Sequence, residues 1–179
     1  MLSKTELIEA YEECLSEFSL RKEPGEKKFS EGYLAKALHN LELAGVLDLL
    51  SRNDEKKRAI EIPPASRYFD WIIIASYYSM YLAATAALAK LGLKSKTHGA
   101  TLIALEYGYC LKKNLLERKH LEMNERASFG RDDIQKIDEA MQGRTSVQYT
   151  VFEKYGDAEA KRILRDAREF VHKMSEILL

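Results

Sequence analysis

The sequence predicts an all-α protein, an antiparallel bundle of four to five helices with an N-terminal helical extension. Three observations predict it. The 179 residues include only three prolines and nine glycines. No segment sustains the apolar–polar alternation of a half-buried strand. And the stretch from Trp71 to Ala89 is uncharged, with Ser, Tyr and Ala spread round every face. A helix that is apolar all round is buried on all sides, in a protein core or in lipid.

Each element follows from its own spacing. Leu7, Tyr11, Cys14, Leu15 and Phe18 mark one face of a first helix, which ends at the charged break RKEPGEKK, read as a linker. Ser30 is placed to cap a second helix showing Tyr33, Ala37, Leu38, Leu41, Leu47 and Leu50. Residues 52–66 read as a charged loop closed by Pro63-Pro64, and Ala59–Ile62 is the nearest strand candidate. The central helix follows, with Ile73, Ile74, Tyr77, Met80, Tyr81, Ala84 and Leu88 expected inside. It breaks at Gly92, and Ser95 or Thr97 caps a further helix to about Leu116. Residues 117–130 read as irregular or partly helical. Arg131 to Tyr155 reads as helix with a kink at Gly143, a poor helix-interior residue. Asp157 is placed to cap the last helix, whose apolar stripe is Ile163, Leu164, Ala167, Phe170, Val171, Met174 and Ile177. Residues 1–29 form an extension with its linker and 30–179 the bundle domain.

The totals limit function. Twenty-eight basic and 28 acidic residues cancel, which removes the electrostatic footprint of a duplex-DNA binder but leaves room for a local basic cleft. Cys14 and Cys110 form no CxxC pattern and read as reduced thiols, and the first residues lack an apolar signal core. A cytoplasmic location is therefore expected. The central run is long enough to span a bilayer, but Tyr77, Tyr78 and Tyr81 lie in its middle, whereas membrane tyrosines favour the two ends. No membrane partner is expected.

Three pieces resemble the HEPN domain, a helical family of prokaryotic toxin systems and of proteins found near nucleotidyltransferases. They are YLAKALHNLELAGVLDLL at 33–50, YYSMYLAATAALAKLGLKSKTHG at 77–99, and RTSVQYTVFEKYGDAEAKRILRDAREF at 144–170, the last closing with Ala167 and Phe170 in an Ala-x-x-Phe pattern. The resemblance covers about residues 30–178. It implies a HEPN-like bundle, usually a homodimer, working with nucleotide, RNA or a nucleotidyltransferase partner in a toxin–antitoxin-like setting. Nuclease members carry an Arg, then four to six residues, then a His, and cleave RNA without metal. Here the matching place holds Arg144, with Gln148 and Tyr149 where the His would be. Arg144 keeps the charge to hold phosphate; a tyrosine, with a pKa near 10, is a poor proton shuttle at neutral pH. The expected function is a catalytically degenerate binding module, and the alternative is a metal-independent endoribonuclease.

Other constellations are weighed on spacing alone. Lys94, Lys96 and His98 precede a helix start, a setting that suits phosphate. Arg165 and His172, with Arg168 between them, share one helix face and offer a second Arg–His pair, although that face reads most simply as solvated. Glu117-x-x-His120 and Glu169-x-x-His172 have the ligand spacing of di-metal bundles. The central helix supplies no carboxylate between Asp70 and Gly99, so neither metal nor another cofactor is expected. The chain has no glycine-rich phosphate loop and no zinc spacing.

Overall fold

The computed structural model describes residues 3–128 and 156–179. The helix expected over Arg131–Tyr155, with Arg144, Gln148 and Tyr149, lies outside them.

α1 (Lys4–Ser16) opens with a capping box: the Ser3 hydroxyl accepts from the Glu6 amide, and the Glu6 carboxylate accepts from the Ser3 amide. Leu7 and Cys14 are buried, with Tyr11 and Leu15 packed beside the core. Phe18 departs from the expected face. The helix has already ended, Phe18 takes a positive φ of 57°, and its ring is 65% exposed.

The charged break beyond it is ordered. Leu20–Lys22 forms β1, paired antiparallel with β2 (Leu93–Ser95), Leu20 opposite Ser95 and Lys22 opposite Leu93. Ala59–Ile62, the nearest strand candidate, instead ends a short helix and turns. A single turn of alternation next to prolines could not signal the true pair, because each of its strands is only three residues long. A 3₁₀ segment, Pro24–Phe29, then leads into α2 (Ser30–Arg52). Ser30 does not cap this helix: it lies inside the first turn, buried, and donates its hydroxyl proton to the Ala86 carbonyl at 2.9 Å. At the other end the Ser51 hydroxyl accepts from the Tyr68 amide at 3.0 Å. These two bonds fix α2 antiparallel to the central helix.

Residues 52–66 are partly helical. Asn53 caps α3 (Asp54–Ala59), and the fully buried Lys57 holds the segment closed. Its ammonium contacts Asp54 at 2.8 Å, the Ser66 carbonyl at 3.2 Å and the Pro64 carbonyl.

The central helix is α4 (Phe69–Leu91), with thirteen buried residues. Alanines dominate its inner faces and meet Ala37 and Ala44 of α2, so the two backbones approach closely. By length and composition α4 could cross a membrane, but most of it is buried among its neighbours. Gly92 terminates it in the left-handed conformation, φ 72°, and a Cβ there would meet Pro24 Cα at 3.2 Å.

Beyond β2, Thr97 caps α5 (His98–Leu105) through the Ala100 amide. The helix expected to run to Leu116 instead widens into a π-helical segment, Glu106–Lys112. Its Gly108 approaches α4 so closely that a Cβ would lie 2.7 Å from Leu91 Cδ1. Tyr109 is fully buried in this segment and donates to the Ala87 carbonyl at 2.8 Å; burial pushes its phenol up to about 12. α6 (Arg118–Ser128) follows, more helical than its polarity suggests.

α7 (Asp157–Leu178) lays the expected stripe on α4. Its cap is Gly156 rather than Asp157. The Asp157 carboxylate instead accepts from Lys161 at 2.7 Å and from Arg52, tying α7 to the end of α2.

Two expectations follow. Tyr81, placed in the core by its spacing, is 38% exposed, whereas Met80 is 1% exposed. Met80→Ala should therefore cost about 2–5 kcal/mol, and Tyr81→Ala about 1–2 kcal/mol, measured by urea unfolding. The hydrogen bonds from Lys161 and then Arg52 hold the Asp157 carboxyl below its usual 3.8. Its contribution is thus present above that pH and lost as pH falls through the folded value. The Tm gap between wild type and Asp157→Asn should be open at pH 6 and close in strong acid; because Asp157 is exposed, added salt should narrow it too.

Candidate functional site

The basic turn after α4 is largely occupied by the protein itself. Lys94 lies 3.0 Å from Glu26 and 3.9 Å from Glu23, and these carboxylates hold its ammonium above the ordinary lysine range. The α5 start is closed by Thr97, and Ser95 and Thr101 share a hydroxyl bond of 2.6 Å. Lys96 projects to solvent while its amide donates to the Ser19 carbonyl at 2.8 Å. His98 is half-buried in the first turn of α5.

The α7 face carrying Arg165, Arg168 and His172 is open surface. The Arg165 side chain is 73% exposed, 3.5 Å from Asp166, and His172 is 78% exposed, 3.3 Å from Glu176. Arg168 leans over α2, with a guanidinium nitrogen 3.6 Å from where a Gly45 Cβ would stand. No cleft gathers these three among the described residues. They share a face, as their spacing requires, but the turn with Lys96 and His98 belongs to other elements.

The two Glu-x-x-His pairs do not converge either. His120 is buried, and its Nδ1 lies 3.3 Å from the Glu117 amide and 3.1 Å from the Glu117 carbonyl, in a local turn. The Glu117 carboxylate points to solvent, and Glu169 lies 3.7 Å from Lys119. Among the described residues no three His, Cys, Asp or Glu side chains gather as metal ligands.

The sequence match covers most of the helices that build this bundle. The family model for the HEPN domain matches residues 46–178, from the middle of α2 to the last turn of α7. The chain belongs to the HEPN family. No curated protein and no solved structure matches it. HEPN membership supports a nucleotide- or RNA-related module on an all-α fold. The matched range begins after α1, β1, the 3₁₀ segment and residues 30–45 of α2.

Residues before the matched range help form a basic cleft that sequence reasoning missed. It encloses about 370 Å³ between the N-terminal segment and the π-helical segment, floored by Leu91, Gly92 and Leu93. Lys22, Lys27, Lys112 and Lys113 line it, with no acidic residue in the lining. The only sequence signal was two lysine-bearing stretches far apart in the chain, Lys22–Lys28 and Lys112–Lys113; the β1–β2 pairing that brings the first beside the end of α4 was invisible.

A second feature lies on the outer side of α2 and α4. Trp71 is 55% exposed, and Tyr78, Tyr81, Leu43 and Val46 are also exposed. They are large apolar side chains left open on two neighbouring helices.

Proposed function

We propose that this HEPN chain is a dimeric module that binds nucleotide or RNA, serves a nucleotidyltransferase-type partner in a toxin–antitoxin-like system, and has lost the proton-transfer group of the family's nucleases. The carrying observation is Tyr149 in the place of the motif His, five residues after Arg144, inside the matched range 46–178. The guanidinium that holds a scissile phosphate is retained, and the group that moves the proton is not. Two unpaired cysteines, Cys14 and Cys110, suit a reducing cytoplasm; burial and the neighbouring Glu106 push the Cys110 thiol up to about 11, so it is a poor nucleophile there.

Dimerisation is supported by the exposed apolar side chains of Trp71, Tyr78, Tyr81, Leu43 and Val46 on α4 and α2. Apolar side chains of this size left open on neighbouring helices are the usual mark of an interface, and a second copy presents the same surface about a two-fold axis. The alternative, a metal-independent endoribonuclease, is favoured by one observation, the retained Arg144.

Labelled RNA incubated with the protein in EDTA separates the readings. Binding without appreciable cleavage is expected, with Arg144→Ala weakening the binding and flattening its salt dependence. Efficient cleavage abolished by Arg144→Ala would establish the ribonuclease instead. Light scattering should give twice the chain mass, with Trp71→Asp shifting the protein towards monomer; a monomer at high concentration would refute the dimer.

A further inference from the structure

The outward face of α4 carries a knob and a hollow that match each other. Trp71, Tyr78 and Tyr81 are exposed, and Ile74, Leu82 and Thr85 are half-buried. Their positions, 71, 74, 78, 81–82 and 85, are three or four residues apart and so lie on one face of the helix. No residue from Trp71 to Ala89 is charged. The knob is Trp71, 55% exposed in the first turn. The hollow lies at the other end of the same face. It holds about 130 Å³ and is lined by Tyr81, Leu82, Thr85 and Leu88 of α4, with Tyr33 of α2 and Leu93 of β2. That is smaller than the roughly 300–1,000 Å³ of a small-molecule site and of a size for one large side chain.

The two are placed symmetrically. Trp71 stands seven residues before Tyr78, and Thr85 seven residues after it, about 10.5 Å of helix on each side. A second copy whose α4 lies antiparallel on this one, with a two-fold axis beside Tyr78, brings each Trp71 to the partner's Thr85 and so to the hollow. Both contacts form together, and the pair closes with neither knob nor hollow left over, as a self-complementary interface requires. Charge permits this register. The face itself sets no like charges against each other, and the two charged groups in the hollow's lining, Lys94 and Glu26, neutralise one another at 3.0 Å. The rings between knob and hollow are already held. Buried Tyr77 meets Tyr78 edge-on at 5.4 Å and stacks with Tyr81 at 6.3 Å. Side chains held in this way lose less freedom on association.

We propose that two copies of this chain pair through an antiparallel contact of their α4 helices centred on Tyr78, with Trp71 of each copy seated in the hollow of the other. The proposal rests on the reading of the chain as a dimer and adds to it the face, the register and the anchoring residue. A tryptophan filling a pocket near the centre of a contact is the common form of an interface anchor, and here the pocket is supplied by Tyr33, Tyr81, Leu82 and Thr85.

Trp71 is the one tryptophan of the chain, so its fluorescence reads the contact on the unmutated protein. As the full chain is diluted through the dimer–monomer transition followed by light scattering, the emission should move to longer wavelength and become open to acrylamide quenching. Mild oxidation should cross-link two copies of Tyr78→Cys but not of Glu176→Cys on α7. Trp71→Ala and Thr85→Trp should each weaken self-association about thirty-fold or more while keeping the helical circular dichroism. An equimolar mixture of these two variants should pair again, because one knob still meets one hollow and the other hollow is already filled; a variant that merely misfolds is not rescued by mixing. A dimer whose Trp71 is as open to acrylamide as in the diluted monomer, a Tyr78→Cys dimer that does not cross-link, or a mixture that stays monomeric would overturn this register and leave the dimer standing. A monomer at high concentration, whether Trp71 is then shielded by the chain itself or open to another partner, would remove both.

Discussion

The constraint that organises this fold is the exclusion of water from α4. Ile72, Met80 and Leu88 are fully enclosed, and their burial alone is worth about 1.5–3 kcal/mol each. One helix cannot supply its own cover. α2 and α7 take the two largest shares, and the β1–β2 pair closes the end where Gly92 stops the helix. The alanines set how close these neighbours come. Three polar groups at the contacts are answered: Ser30 by the Ala86 carbonyl, Ser51 by the Tyr68 amide, Tyr109 by the Ala87 carbonyl.

The same arrangement places what is left for function. α2 and α4 are both covered on their inner faces, and Trp71, Tyr78 and Tyr81 are left exposed. The far end of α4, where the chain must turn sharply, is where three separate segments bring their lysines together. A HEPN core with its own basic cleft at one end of the central helix is thus a consequence of how that helix is closed, and the N-terminal segment is part of the closure through the fully buried Leu20.

Much of the fold was legible in the sequence, because the signals were long. The uncharged run of α4 and the stripe of α7 each extend over several turns, and Thr97 and Gly92 are local start and stop chemistry. Short or long-range features were not legible. The strands have three residues each and pair across more than seventy positions; the π-helical widening leaves the apolar spacing of a normal helix nearly unchanged. Ser30 has the residue type of a cap but bonds to another helix, a choice that tertiary packing makes. Tyr81 shows the limit of counting apolar positions on a helix that is apolar all round, since periodicity cannot say which side is left uncovered. The site was less legible than the fold. Lys94 read as a free cation and is neutralised, while Lys112 and Lys113 read as the tail of a helix and line a cleft.

The central claim, that α4 is the buried axle of the fold, is tested most directly by native-state hydrogen exchange. Amides from Ile72 to Leu88 should exchange most slowly in the protein, through global unfolding only, with opening free energies equal to the stability measured by denaturant. Exchange in α4 as fast as in α1, through local opening well below the global value, would contradict the account.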